Sequence, residues 1–191
     1  MLIRNDCPNF HWTGYDSIVC PTTGAVEPTD AFFDMIGGAQ HLRDWFHGPL
    51  TITSCARSPL HNALLGVPRD VRAGWLQDYR QEGYDIDLLR EMILGAFGDH
   101  MGAEDSKHLL FQGDGHCAMD ITAGLSPHLS PRVPLYLRLE ALARRAIQKE
   151  GFLGVGVYKT WLHLDKARTE LTIWDERPEM SDEWQRFKEA A

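Results

Sequence analysis

A chain of 191 residues, 43% of them hydrophobic and 24% charged, has the composition of an ordinary compact domain and the length to bury a core without disulfides. Its formal net charge of −8 excludes the surplus of Lys and Arg that phosphate binding needs, so nucleic acid is not an expected partner. No apolar run is long enough to span a bilayer, so no membrane insertion is expected. Met1-Leu-Ile-Arg-Asn-Asp-Cys-Pro8 lacks the long apolar core of a secretory signal peptide, and none is expected.

In chain order, the stretch through Gly24 has no hydrophobic period and reads as a lead-in segment. Thr29 or Asp30 can cap a helix running to about Trp45, with Phe32, Met35, Ile36, Ala39, Leu42 and Phe46 at helical spacing. Gly37-Gly38 is expected to weaken or kink it. Leu50 to Ser54 alternates strictly and predicts a half-buried strand. Two helices are expected between Val71 and Phe97, the better one capped by Asp85 and burying Ile86, Leu89, Ile93 and Phe97. Gly98 to Asp105 reads as loop.

Ala118 to Ile121 is a short strand ended by Thr122-Ala-Gly124. A helix is predicted over Pro131 to Glu150, with Ser130 as cap, Pro131 and Pro134 in its first turn and Gly151 at its end. Val155 to Tyr158 and Trp161 to Asp165 predict a hairpin through Lys159-Thr160. A last strand, Glu170 to Trp174, and a charged, mobile helical tail from Ser181 complete the chain. Helices and strands do not alternate, so the expected class is α+β, with a small antiparallel sheet and flanking helices. One domain, 1–191, is expected, with a helical insertion over 67–105 and a mobile tail over 178–191.

Cys7, Cys20, Cys55 and Cys117 form no C-x-x-C pair and read as reduced thiols. On the strand Trp161-Leu-His-Leu-Asp165, a period of two puts Trp161, His163 and Asp165 on one face, with Leu162 and Leu164 on the core side. His108 follows a loop and Asp120 lies in a short strand, with His116 between them. Imidazole nitrogen suits zinc, and a carboxylate adds the anionic oxygen that reduces the site's positive charge. Arg57 follows the strand Leu50 to Ser54, where a fixed guanidinium can stabilise an oxyanion or clamp a carboxylate. A Cys117–His116 nucleophile pair is disfavoured, because neighbours on a strand point to opposite faces.

The ordered series Thr53-Ser-Cys-Ala-Arg-Ser-Pro59, Ser106-Lys-His-Leu109, Ala118-Met-Asp-Ile121, Gly154-Val-Gly-Val-Tyr158 and His163-Leu-Asp165 resembles the zinc D-alanyl-D-alanine carboxypeptidases of peptidase family M15. It is most similar to the phage and bacterial branch that cleaves peptidoglycan peptides, and the likeness spans roughly Asn9 to Trp174. The resemblance implies the fold shared by Hedgehog domains and DD-peptidases. It implies zinc held by His108, Asp120 and His163, with Arg57 facing the substrate. Ser106, Tyr158 and Trp161 are further candidate substrate contacts. The implied partners are peptidoglycan stem peptides, with virion or tail proteins beside them. The implied location is the host cytoplasm before release to the wall, or the virion.

Two departures bear on this reading. Leu110 to Cys117 looks like an insertion between the first ligand and Asp120, which leaves His116 as the alternative to His108. Many members carry a Glu shortly before the last His, and none lies between Tyr158 and Leu162 here. Asp165 then stands either as the catalytic base or as a group that orients His163. The expected function is a peptidoglycan peptidase, of carboxypeptidase or endopeptidase type. The alternative is a weakly active or inactive wall-binding or virion module on the same fold.

Overall fold

A computed structural model describes residues 7–9, 29–57, 62–68, 71–72, 74, 85–97, 108, 118–125, 132–166 and 168–191. Thr29 caps α1 (Asp30–Phe46), its hydroxyl accepting from the Phe32 N–H at 3.2 Å. The apolar stripe predicted for this helix is buried throughout. The helix runs on unbroken through Gly37-Gly38. Gly38 admits the Phe152 ring, which would lie 2.8 Å from a Cβ at that position.

Strand β1 (Leu50–Ser54) follows, then a 3-10 turn over Leu64–Gly66 and α2 (Ile86–Phe97). Asp85 caps α2 through its carboxylate, which accepts from the Asp87 N–H at 2.9 Å. Leu89 and Ile93 pack on Ala63, Leu64 and Val67 in a small core separate from the main one. The predicted loop 98–105, Ser106, His116, Cys20, Cys117 and the Ser130 cap lie outside the described residues. So does most of the first helix expected after Val71.

After β2 (Ala118–Ala123) comes α3 (Leu135–Lys149), which starts later than the sequence predicts. Pro134, extended at ψ 155°, is its N-cap rather than part of its first turn. A proline forces its predecessor, Val133, away from helical geometry, so the helix cannot include both. Gly151, at φ 70°, ends the helix in the left-handed region, where the Phe152 N–H returns to the Ala146 carbonyl at 3.2 Å.

Strands β3 (Gly154–Val157) and β4 (Leu162–Asp165) form the predicted hairpin, closed by a 3.0 Å bond from the Tyr158 N–H to the Trp161 carbonyl. The edge strand β5 (Thr172–Asp175) begins two residues later than expected. The sheet order is β1-β2-β4-β3-β5. The expectation of an antiparallel sheet is corrected at this edge, because β5 pairs with β3 in parallel and the sheet is mixed. The chain leaving β4 passes its hairpin partner before pairing, and therefore runs in the direction of β3.

Helices α1 and α3 cover one face of the sheet, where Ile52, Met119, Ile121, Val155, Val157, Leu162 and Leu164 join the main core. The helical tail expected from Ser181 is α4 (Asp182–Ala190), which packs through Trp184, fully buried in that core. The architecture is α+β, with helices on one sheet face and the polar constellation on the other.

Candidate metal centre

Strand pairing assembles the site from residues far apart in sequence. Asp120 on β2 pairs with His163 on β4, which pairs with Gly156 on β3, which pairs with Trp174 on β5. On the other side Ser54 of β1 faces Asp120, after a register shift between Ile52 and Ser54. Such a bulge re-aims a side chain, and here it brings Ser54 into the row. His108 is attached to the exit of β1 by two bonds. Its carbonyl accepts from the Arg57 N–H at 2.8 Å, and its Nδ1–H donates to the Cys55 carbonyl at 2.7 Å.

His108, Asp120 and His163 converge. His108 Nε2 lies 3.1 Å from His163 Nδ1 and 3.3 Å from Asp120 Oδ1, and the last edge, His163 Nδ1 to Asp120 Oδ1, is 3.1 Å. A zinc tetrahedron with bonds of about 2.0–2.1 Å has edges of about 3.3–3.4 Å. The triangle therefore has the size of one face of a zinc site, with a fourth corner left to another ligand. The donor chemistry also fits. A carbonyl only accepts, so Cys55 fixes the proton on His108 Nδ1 and leaves Nε2 with its lone pair toward the cluster.

His163 is oriented by the same logic. Its Nε2–H donates to Asp165 Oδ2 at 3.3 Å, so Nδ1 faces the cluster. Asp165 is completely buried and is also held by Arg168 Nε at 3.0 Å. The expectation left Asp165 as base or as orienting group. Its place behind the imidazole, against the ring nitrogen turned away from the cluster, is the orienting one. Gly154 makes room for it, since a Cβ there would lie 2.0 Å from Asp165 Oδ2. Gly156 does the same for the Trp174 indole, which a Cβ would meet at 2.4 Å.

Arg57 does not stand apart at an open corner. Its Nη2 donates to Asp120 Oδ2 at 3.0 Å, and both Nε and Nη2 donate to Ser54 Oγ. The guanidinium thus braces a ligand while remaining next to the site. Burial draws its pKa down from the ordinary arginine value, opposed by Asp120.

The electrostatics divide the two imidazoles. Burial lowers the pKa of His108, so it stays neutral and available as a ligand. Burial acts the same way on His163, but Asp120 and Asp165, one at each ring nitrogen, outweigh it and raise its pKa. Asp120 is held well below the ordinary carboxylate range despite burial, through its contacts with both histidines.

Tyr158 and Trp161 sit on the site's face and stack on each other, with ring centroids 3.7 Å apart. Trp174 and Arg168 were not among the residues expected at the site. Trp174 leans on His163 at 5.2 Å, and Arg168 lies over the Trp174 ring at a similar distance. Period two on the last strand carried a usable hint for Trp174. Arg168 follows β4, where no periodicity applies. No protein-family model, curated protein or solved structure matches this chain.

Proposed function

We propose that this chain is a zinc-dependent peptidase that hydrolyses peptide bonds of bacterial peptidoglycan, as a D-alanine-type carboxypeptidase or endopeptidase. The observation that carries it is the triangle of His108 Nε2, Asp120 Oδ1 and His163 Nδ1, with edges of 3.1–3.3 Å and each imidazole oriented from behind. The substrate class rests on the ordered motifs that resemble the M15 peptidases. Those motifs also support the finer fold assignment, to the Hedgehog and DD-peptidase type.

Bound zinc would supply a water of lowered pKa and polarise the scissile carbonyl. The chain's own residues do the rest. Cys55 and Asp165 hold the two imidazoles in the tautomers that present lone pairs. Arg57, anchored by Ser54, braces Asp120 and holds a positive charge beside the ligands, where it can stabilise an anionic substrate oxygen. Tyr158 and Trp161 offer an aromatic surface on which a peptide can lie.

A second reading has one observation in its favour. Asp120 is engaged by two histidines and Arg57, and Asp165 by His163 and Arg168, so neither carboxylate is placed to take a proton from water. A wall-binding or virion module of low activity would be built this way.

The two readings separate in one experiment. Elemental analysis should find one zinc per chain, and less than one in His163→Ala. Zinc-loaded protein should release fragments from purified peptidoglycan, a chelator should stop it, and added zinc should restore it. Stem peptides left intact by fully zinc-loaded protein would sink the peptidase reading, and co-sedimentation with the wall would then establish the binding module.

A further inference from the structure

On the face that carries the metal ligands, a wall of three partly exposed rings ends in a carboxylate. Trp174 leans on His163, its indole Nε1–H donates to the Tyr158 hydroxyl at 2.9 Å, and Tyr158 stacks on Trp161 at an interplanar angle of 12°. Burial pushes the Tyr158 hydroxyl up from the ordinary tyrosine pKa, and the nearby Glu176 carboxylate adds to it. The parallel register explains the meeting. Val157 pairs with Asp175 and the Glu176 N–H donates to the Val157 carbonyl at 3.1 Å, so Tyr158 and Glu176 both emerge on the site's face.

The charges around this wall are unevenly matched. Arg57 is paired with Asp120 and Arg168 with Asp165, each at 3.0 Å. Glu176 is exposed, and no Lys or Arg among the described residues pairs with it. Arg168 already lies over the Trp174 ring, so the partly exposed rings left beside this anion are Tyr158 and Trp161, and a cation there gains both the carboxylate and the ring quadrupole. A quaternary amine lacks the N–H donors that the Glu176 carboxylate accepts, so the fitting cation carries N–H donors, as a primary ammonium does.

We propose that Trp161, Tyr158, Trp174 and Glu176 form a subsite for a primary ammonium group of the substrate. The group sits on a diamino-acid side chain or at a peptide N-terminus. The subsite rests on the peptidase reading for the peptide's presence beside the ligands; the ammonium chemistry comes from the wall itself.

Three synthetic peptides test it with the zinc-loaded full chain. Nα-acetyl-L-Lys-D-Ala-D-Ala keeps the side-chain ammonium. L-Lys(Nε-acetyl)-D-Ala-D-Ala keeps the terminal one, and the diacetyl peptide has neither. Binding is followed by tryptophan fluorescence on mixing, before turnover. One ammonium-bearing peptide is expected to bind about tenfold more tightly than the diacetyl peptide, and its identity assigns the source. Glu176→Gln should abolish that difference at unchanged zinc content.

Equal affinity for all three peptides, binding of none, or a preference that survives Glu176→Gln overturns the subsite. Peptides that bind with a Glu176-dependent preference but stay uncut sink the peptidase reading and keep the subsite. Cleavage without any ammonium preference does the reverse.

Discussion

His108, Asp120 and His163 are each aimed by a neighbour that accepts or donates at only one of their atoms. The Cys55 carbonyl selects the tautomer of His108, and the Asp165 carboxylate selects that of His163. Arg57 takes one oxygen of Asp120 and leaves the other to the cluster. Partners of this kind are commonly worth about 10–100-fold in metal affinity. Asp165→Asn keeps the shape that Gly154 accommodates but removes the charge facing Nε2. Zinc affinity, read by competition with a chromogenic chelator, should fall within that range while the far-ultraviolet circular dichroism stays unchanged. An unaltered affinity would mean that Asp165 serves Arg168 rather than the ligand.

Between elements, the decisive joint is the one that fastens the C-terminal helix. Arg177 Nη2 donates to Glu140 of α3 at 3.1 Å and to Asp175 of β5 at 2.6 Å, and all three side chains are buried. Asp175 also accepts from the Trp184 indole at 2.7 Å, while Ser181 caps α4 and bonds Glu140. Removing the cation would leave two buried carboxylates facing each other. Arg177→Met is therefore expected to cost about 3–5 kcal/mol, the usual range for breaking a buried pair from one side. Urea unfolding measures it. A loss below about 1 kcal/mol, the level of a surface pair, would show that the clasp is wet and α4 peripheral.

Across the molecule, one sheet separates two sets of residues: its helical face holds the core and its other face holds His108, Asp120 and His163. The charged clasp sits at the seam of the core, so the fold's response to acid should report on it. Burial would raise the Asp175 carboxyl, but donation from Arg177 and Trp184 outweighs it and sets the folded value below the ordinary one. The unfolded chain then takes up this proton first. The contribution is fully present above the unfolded value of about 3.9 and is lost as pH falls through the lower folded value. The urea midpoint of the metal-free protein should drop more steeply below about pH 4 than that of Asp175→Asn. Parallel acid profiles would remove Asp175 as a source of acid sensitivity.

Periodicity and turn chemistry are local, and what depends on them was legible in the chain. The capped helix α1, the alternating strand β1 and the β3–β4 hairpin follow from near-neighbour spacing, as does the shared face of His163 and Asp165. The order of motifs picked out His108, Asp120 and His163 as a set. Tertiary pairing alone decided how they meet, because His108 and His163 are 55 residues apart and Asp120 and His163 are 43 apart. It set Asp165, a candidate base or orienting group, behind an imidazole, and made Arg57, expected to face the substrate, the brace of Asp120. It ran β5 parallel to β3 and buried Trp184 in the main core. A residue's face can be counted from its neighbours, whereas the atom it meets across the sheet is fixed by register, and register is set by strands that only the folded chain brings together.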